Sequence, residues 1–311
     1  MIKEHTSTDS ISNTLQAVID LGSLKVKLSV FTKDTAELQY QESSLVLLGK
    51  ELNQNNIILD KPLEELSKTL LKMKGLLDTM ECKDITIIAT EALRQARNKE
   101  AVEERISKVF PGIKMQILTQ ELEGAMFFTA IAGCFPEIDI TTMDIGGGSV
   151  QVFHGKQQKN KLNITYKHLF KTGTYVLQQK YSPVQDAINE EFPVAVKEIK
   201  EAFSPISFTS DILVFGSTCM QSFITSTKIQ TYTDKPFHKH PYYVTVPELE
   251  KLLHEIRGFP PAQREHFYAD EQYFTYGADY LLANVLEVAE RTKAAHIYPS
   301  NMNSSYGFIR G

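Results

Sequence analysis

The sequence predicts an α/β protein made of two related halves, each with a mixed β-sheet flanked by helices. One motif occurs twice, at residues 20–23 and 144–149: Asp, an apolar residue, one or more Gly and then Ser. An apolar strand leads into each copy and a second strand follows it. After both copies, extended segments give way to helices that alternate with strands. The length of 311 residues also exceeds the usual size of one domain, so two domains are expected.

The first half is predicted to begin with three strands. In residues 63–77, Leu or Met recurs every three or four positions, which is typical of a helix with one buried face. Pro111 and Gly112 are expected to end the helical stretch that precedes them. The predicted elements are strands at 17–20, 26–30 and 38–48, a helix at 63–77, a strand at 85–89, helical segments within 90–109, a strand at 114–118 and a helix at 121–132.

The second half repeats this order. Pro193 is expected to kink or split a helix at 184–203, because proline lacks the N–H that a helix interior needs. Residues 230–240 are polar; a solvated loop is favoured there over a contact with a polyanion. The predicted elements are a hairpin at 144–153, a strand at 162–169, helices at 175–180 and 184–203, a strand at 211–215, helices at 247–256 and 273–291, and a strand at 296–298.

The three consecutive glycines after Asp144 can bind an anion. Without Cβ atoms, several backbone N–H groups can approach one phosphate closely. The Asp144 carboxylate could hold a magnesium ion or orient a water molecule bound to it. A purely structural hairpin is the alternative, and the second copy at residues 20–23 favours the phosphate interpretation.

Composition excludes several classes of protein. A formal charge of -5 gives no support for nucleic-acid binding, which usually requires a basic surface. The three cysteines form neither a disulfide framework nor a metal-binding pattern, so reduced thiols are expected. Residues 1–14 are polar and no apolar run is long enough to span a membrane, so we expect a cytoplasmic protein.

Four motifs, at residues 20–23, 89–96, 121–125 and 144–149, resemble the exopolyphosphatase and guanosine pentaphosphate phosphatase family in order and spacing. The resemblance implies two ribonuclease-H-like (actin-like ATPase) domains around a central cleft. It also implies a reaction, in which water and Mg²⁺ release the terminal phosphate of inorganic polyphosphate or guanosine pentaphosphate. The chain is similar to the short two-domain members of that family.

The resemblance assigns catalytic roles to two side chains. Glu123 matches a glutamate that activates or orients the attacking water, and Arg94 matches an arginine that neutralises charge on the phosphoryl group. Alternatively, Glu123 is a solvated residue in the first turn of a helix, and Arg94 simply pairs with Glu91 on a helix face.

The remaining matches concern phosphate and metal. A short loop that begins at Gly216 also resembles a later glycine loop of the superfamily, but it is too short to indicate a kinase. The matching phosphate-binding residues are Gly22, Ser23, Gly146, Gly147, Gly148 and Ser149. The matching metal positions are Asp20, Asp144 and Gln151.

Three positions depart from the family pattern. Leu24 stands where a polar residue is usual, Gln151 replaces an acidic residue expected near the metal, and Ser305 lies where the family shows an Arg-Glu pair. Losing one carboxylate weakens a site for a hard cation. Two hypotheses therefore stand: a divergent metal-dependent phosphohydrolase, and a catalytically weak or inactive regulatory homologue that binds phosphate or polyphosphate.

The predicted domain organisation is a tail at 1–14, an N-terminal domain at 15–126 and a C-terminal domain at 127–311, whose last residues could pack back on the first domain. A homodimer is the default expectation for such an enzyme. Neither nucleic acid nor a membrane is expected as a partner.

Overall fold

The computed structural model describes residues 15–49, 52, 56–159, 161–182, 187–216, 231–237, 239–267 and 277–310. The chain divides into two compact units. Unit 1 contains the described residues up to Ala89 together with Arg97–Gln116. Unit 2 contains Thr90–Ala96 together with the described residues from Ile117 onward.

The first sheet has five strands and mixed direction. Its strands are β1 (Leu15–Leu21), β2 (Lys25–Thr32), β3 (Leu38–Leu45), β4 (Asp84–Ala89) and β5 (Met115–Ile117). Their order is β3-β2-β1-β4-β5, with β1 antiparallel to β2 and parallel to β4. Helix α1 (Asp60–Thr79) buries the predicted apolar positions: Leu63, Leu66, Leu70, Met73 and Leu77.

The helical stretch within 90–109 is two helices, α2 (Glu91–Gln95) in unit 2 and α3 (Lys99–Val109) in unit 1. Asn98 lies between them. Its Oδ1 accepts the N–H of Ile58 and its Nδ2 donates to the Ile58 carbonyl, both at 2.9 Å. This side-chain contact with the backbone favours a break, since Asn competes for backbone hydrogen bonds.

The second sheet repeats the topology of the first. Its strands are β6 (Ile140–Ile145), β7 (Val150–Gln158), β8 (Lys161–Phe170), β9 (Ile212–Gly216) and β12 (His296–Ser300), in the order β12-β9-β6-β7-β8. Strand β6 is antiparallel to β7 and parallel to β9, as β1 is to β2 and β4. The predicted mixed sheets are therefore confirmed.

The two predicted hairpins share one backbone geometry. The residues flanking each four-residue loop pair across the strands: Leu21 with Val26, and Ile145 with Val150. In each loop the N–H of the first residue donates to the carbonyl of the fourth, from Gly22 to Lys25 at 3.0 Å and from Gly146 to Ser149 at 2.9 Å. This common turn supports the predicted duplication.

Helices cover the second sheet. They are α4 (Gln120–Ala132), α5 (Thr174–Tyr181), α6 (Phe192–Ala202), α7 (Val246–Arg257), α8 (Pro261–Phe267), α9 (Ala278–Thr292) and α10 (Ser304–Arg310). Helix α4 packs on β7 and α10, so it belongs to unit 2. The domain boundary after residue 126 stays a prediction. No helix within the described ranges is both long and apolar enough to cross a membrane.

Two predictions for the second half are wrong. Pro193 lies in the first turn of α6, where its missing N–H is tolerated, so it starts the helix instead of kinking it. Residues 231–237 (β10) and 240–243 (β11) form a hairpin, although an irregular loop was expected. Beyond β11, Val244 exchanges two backbone hydrogen bonds with Ile297 of β12, at 2.8 and 3.1 Å.

The short helices α8 and α10 were also not predicted. A few predicted features lie outside the described residues: Ser217 and Thr218 of the later glycine loop, His238 of the polar segment, and the first turn of the helix predicted at 273–291.

Candidate functional site

The loop at 146–149 begins where the carboxyl ends of parallel strands meet. In the sheet register, Asp144 of β6 lies between Gly216 of β9 and Gln151 of β7, and Gly216 pairs with Ser300 of β12. Ligands of open α/β sheets bind at this edge. The duplicated motif of unit 2 is therefore at the position where a site is expected.

Helix α5 holds this loop in place. The N–H of Thr174 donates to the Gly146 carbonyl at 3.1 Å, and the N–H groups of Tyr175 and Val176 donate to the Gly147 carbonyl at 2.9 and 3.1 Å. The first N–H groups of a helix normally lack partners within the helix. Here the loop uses them, so the start of α5 positions the loop.

Two amides of the loop are candidates for anion binding. The Gly146 N–H closes the turn, but in the described part of the chain Gly147 and Gly148 have no acceptor for their N–H groups. Neither adopts a left-handed backbone, since the positive-φ glycines of the described residues are Gly112 and Gly155. Adjacent free N–H groups can bind one anion together.

Close packing surrounds the loop at Gly173 and Gly148. A Cβ at Gly173 would overlap the backbone of Gly147 and Gly148. A Cβ at Gly148 would lie 2.6 Å from Cγ of Glu91 in α2. The loop is thus enclosed by the start of α5 on one side and by the Glu91 side chain on another.

Arg94 joins α2 to the start of α4. Its Nη1 donates to Oε2 of Glu123 at 2.8 Å and to the Leu118 carbonyl at 2.9 Å. Its Nη2 and Nε donate to Oε2 of Glu91, at 2.6 and 3.2 Å. The two predicted catalytic side chains are therefore in direct contact, and Glu91 is a third member of the same network.

Both simpler alternatives for these residues are only partly right. Arg94 does pair with Glu91, but it also pairs with Glu123, whose side chain is only 16% exposed. Burial lowers the pKa of Arg94, but the carboxylates of Glu123 and Glu91 outweigh this effect, so that its pKa is raised. The direct contact of Arg94 with phosphate stays a prediction.

Sequence reasoning gave Glu91 no functional role. Its position three residues before Arg94 on a helix is the signal that could have indicated one. Its contact with Gly148 joins segments far apart in the chain and has no local signal.

Gln151 lies in the same part of unit 2. It is 2% exposed, and its Nε2 donates to Oγ of Ser149 at 3.0 Å. A Cβ at Gly124, the residue after Glu123, would lie 2.9 Å from Cβ of Gln151. The position that departs from the family pattern thus lies between Asp144 on the adjacent strand and the start of α4.

The predicted metal ligands do not form a complete cage. Among the described residues, no group of three or more His, Cys, Asp or Glu could hold a metal ion. Asp144 and Gln151 offer a carboxylate and an amide oxygen from paired positions. Mg²⁺ is often held by one or two carboxylates together with water and substrate phosphates, and this donor set fits that mode.

The corresponding loop of unit 1 has different surroundings. Asp20 is 4% exposed and pairs in register with Lys27, as Asp144 pairs with Gln151. The carbonyl of Ser23 accepts the Gly49 N–H at 2.7 Å, so a neighbouring backbone segment holds this loop. The roles predicted for Asp20, Gly22 and Ser23 remain predictions.

Lys25, Lys27 and Ser29 alternate with apolar residues on β2, which is typical of a strand with one solvent-facing side, but Ser29 does not fit this pattern. Ser29 is completely buried and accepts a hydrogen bond from Nε2 of Gln41 at 3.2 Å. Lys25 and Lys27 are half-buried. Gln41 lies next to Ser29 on the adjacent strand β3, and the periodicity of a single strand does not show such a neighbour.

The C-terminal departure from the family pattern packs on α4. Gly307 of α10 lies against the backbone of Met126, one turn after Glu123. Ser305 is completely buried, and its N–H donates to Oδ1 of Asn303 at 2.9 Å. The segment that lacks the family's Arg-Glu pair therefore supports the helix that carries Glu123.

Comparisons with known sequences identify relatives over most of the chain. The family model described as the Ppx/GppA phosphatase family matches residues 30–269. A bifunctional 3-dehydroquinate synthase/phosphatase of Fusobacterium nucleatum is 27% identical over 287 residues, covering 82% of this chain and 41% of that protein. A guanosine-5'-triphosphate,3'-diphosphate pyrophosphatase of Pseudoalteromonas translucida is 26% identical over 196 residues, covering 61% of this chain and 38% of that protein. The chain thus spans about two fifths of the length of these relatives.

Solved structures show the same fold. A crystal structure of an exopolyphosphatase from Cytophaga hutchinsonii has a TM-score of 0.80 and 21% sequence identity, covering 96% of this chain and 97% of that one. At this level of identity the likeness concerns the fold alone. It confirms the predicted fold class.

Proposed function

This chain belongs to the Ppx/GppA phosphatase family, and from that premise we propose that it is a phosphohydrolase that releases terminal phosphate from inorganic polyphosphate or guanosine pentaphosphate. The observation that carries the proposal is the contact between Arg94 and Glu123 at 2.8 Å. It joins the two catalytic candidates in the unit that also contains the glycine loop, where the N–H groups of Gly147 and Gly148 have no acceptor among the residues that the structure describes.

In this proposal Glu123 takes a proton from the attacking water. A carboxylate can act as a general base if it is held in place near the water. Arg94 fixes Glu123 through Oε2, and the Thr119 side chain caps the helix on which Glu123 lies by accepting the N–H of Leu122 at 3.1 Å. The base is thus positioned by a cation and by a capped helix.

The glycine loop binds the phosphoryl group. The N–H groups of Gly147 and Gly148 would donate to its oxygens and stabilise the charge that develops there. Because α5 and Gly173 pack against the loop, these donors need no large rearrangement before the reaction.

Mg²⁺ is the proposed cofactor, with Asp144 and Gln151 of unit 2 as its ligands. Bound there, the ion would neutralise phosphate charge and lower the pKa of a bound water molecule. The amide of Gln151 donates to Ser149 through Nε2. This orientation leaves the oxygen as the atom suited to a cation.

A second candidate function is a phosphate-binding or polyphosphate-binding regulatory protein with little catalysis. The buried amide of Gln151 favours it, since a neutral residue replaces a carboxylate at the proposed cation. A regulatory protein of this kind would bind phosphate at the same glycine loop as the hydrolase and would differ from it only in turnover.

Phosphate release with Mg²⁺ separates the two candidates. The wild-type protein is expected to release phosphate from polyphosphate or guanosine pentaphosphate, and Glu123→Gln should lower kcat by about 100-fold or more. The matched control is Glu121→Gln, an exposed carboxylate of the same helix turn that pairs with Lys167. It should leave kcat unchanged.

Two results would count against parts of this proposal. Equal activity of wild type and Glu123→Gln would remove Glu123 from the mechanism. An inert wild-type protein that still binds tripolyphosphate would establish the regulatory alternative.

A further inference from the structure

Glu91 places a negative charge beside the loop that we propose binds phosphate. Its Cγ approaches Gly148 so closely that a Cβ there would lie 2.6 Å away. We propose that Glu91 is a displaceable counter-ion that competes with the bound phosphoryl group for Arg94, and so sets the affinity of the site for phosphate. This inference rests on the proposed function, because it requires phosphate to bind at this loop.

The donors of Arg94 leave almost no capacity for a ligand. Of the five N–H donors of the guanidinium group, four are engaged: Nη1 by Glu123 and the Leu118 carbonyl, and Nη2 and Nε by Glu91. A phosphate that takes two parallel hydrogen bonds from Arg94 must therefore replace a carboxylate.

Glu91 is the carboxylate that is easier to replace. Its side chain is 22% exposed, compared with 16% for Glu123. Its pair with Arg94 lies within α2, a helix of five residues, whereas the pair with Glu123 connects two elements. The other oxygen of Glu91 accepts a hydrogen bond from Nε2 of Gln95, a neutral amide, so Arg94 is the cation that a displaced Glu91 would lose.

Displacement of Glu91 would also let Arg94 contact the phosphoryl group without releasing Glu123. If phosphate takes the Nε and Nη2 edge, Nη1 can continue to fix Glu123. Arg94 would then contact the phosphoryl group and orient the base at the same time. Glu91 thus sets the affinity for phosphate and does not itself take part in proton transfer.

Removing the charge of Glu91 should therefore tighten phosphate binding. Glu91→Gln keeps an acceptor for Arg94 but removes a negative charge next to the anion. The expected effect is about a three- to tenfold lower Kd for tripolyphosphate at constant ionic strength. With a hydrolysed substrate, KM should fall by a similar factor, and inhibition by inorganic phosphate should become stronger.

The test is titration calorimetry with tripolyphosphate on four proteins: wild type, Glu91→Gln, Glu91→Asp and Glu121→Gln. Glu91→Asp keeps the charge and should bind no more tightly than wild type. Glu121→Gln makes the same change of net charge at an exposed position of unit 2, so it controls for long-range electrostatics. A purely structural role of Glu91 would lower the melting temperature of Glu91→Gln without tightening binding.

The inference is overturned if Glu91→Gln binds tripolyphosphate no more tightly than Glu121→Gln, or if Glu91→Asp tightens binding to the same extent. It is also overturned if neither wild type nor Glu91→Gln binds the ligand. Tighter binding by Glu91→Gln in a protein that releases no phosphate would support the inference and refute the hydrolase, so the two failures are distinct.

Discussion

The hairpin β1–β2 in unit 1 and the hairpin β6–β7 in unit 2 have the same loop length, closing hydrogen bond and position of Asp, but different surroundings. The loop at 22–25 is held by backbone bonds from the segment after β3. The loop at 146–149 is held by the start of α5 and contacts Glu91. Opposite the Asp, unit 1 has Lys27 and unit 2 has Gln151.

This difference shows that duplication preserved the backbone turn while the side chains around it diverged. The carboxylates and the arginine of the candidate site cluster in unit 2, whereas unit 1 places half-buried Lys25 and Lys27 next to its turn. The two loops are thus expected to tolerate substitution differently.

The largest effect on stability is expected when a glycine that packs closely at one of the two loops is replaced by alanine. Gly173→Ala places a Cβ inside the backbone of Gly147 and Gly148, so overpacking should lower the free energy of unfolding by about 3 kcal/mol. Gly22→Ala meets a single atom, the Lys25 carbonyl oxygen at 2.9 Å, and should cost about 1 kcal/mol. Urea unfolding measures both.

An equal loss of unfolding free energy in Gly173→Ala and Gly22→Ala would contradict this expectation. It would mean that the loop at 146–149 is no more tightly constrained than the loop at 22–25. A control is Gly75→Ala in α1, where a Cβ meets no atom within 4 Å and a small gain in stability is expected.

A smaller effect should follow from restoring the acid at position 151. Gln151→Glu puts a second carboxylate opposite Asp144 in a buried position and removes the hydrogen bond from Nε2 to Ser149. Without divalent cations this should destabilise the protein by about 1 to 3 kcal/mol. Mg²⁺ should reverse part of that loss and raise turnover, because the site gains a charged ligand.

Gln158→Glu, an exposed change on the same strand, provides the control. It should neither destabilise the protein without divalent cations nor raise turnover with Mg²⁺. If Mg²⁺ restores no stability to Gln151→Glu, the cation does not bind between Asp144 and residue 151. The presence of Gln151 in place of an acidic residue would then affect the site through packing.

The parts of the fold that the sequence predicted are those with local signals. The apolar period in residues 63–77 and the two Asp-Gly turns depend on neighbours in the chain, and both were predicted correctly. Helix α10 has no such signal, since Ser304 and Ser305 are poor helix formers. It is stabilised by packing of Gly307 on Met126, a distant residue.

The same distinction applies to the candidate site. Glu123 and Arg94 could be proposed individually, but their contact joins residues 29 apart in the chain. The approach of Glu91 to Gly148 is likewise a tertiary feature. Sequence reasoning therefore predicted the groups and could not predict that Arg94 is shared between two carboxylates.

The smallest expected effect concerns pH and again separates the two hairpins. His154 of β7 pairs with Thr141, and the corresponding pair in unit 1 is Val30 with Ala17. The His154 ring stacks on Phe208 at 4.4 Å. Burial lowers the pKa of His154 below its ordinary value of 6.5, and this outweighs the opposite effects of Asp139 and the Ile140 carbonyl.

A histidine with a lowered pKa binds its proton less readily in the folded protein than in the unfolded chain. The folded state should therefore lose stability as the pH falls below 6.5 toward the lowered pKa, and should keep it fully above 6.5. The urea midpoint of the wild type should decrease over this range more steeply than that of His154→Gln. His254→Gln, an exposed change on α7, should retain the wild-type slope. Parallel slopes for wild type and His154→Gln would show that this titration is not linked to the packing of the second sheet, and that the two hairpins respond alike to acid.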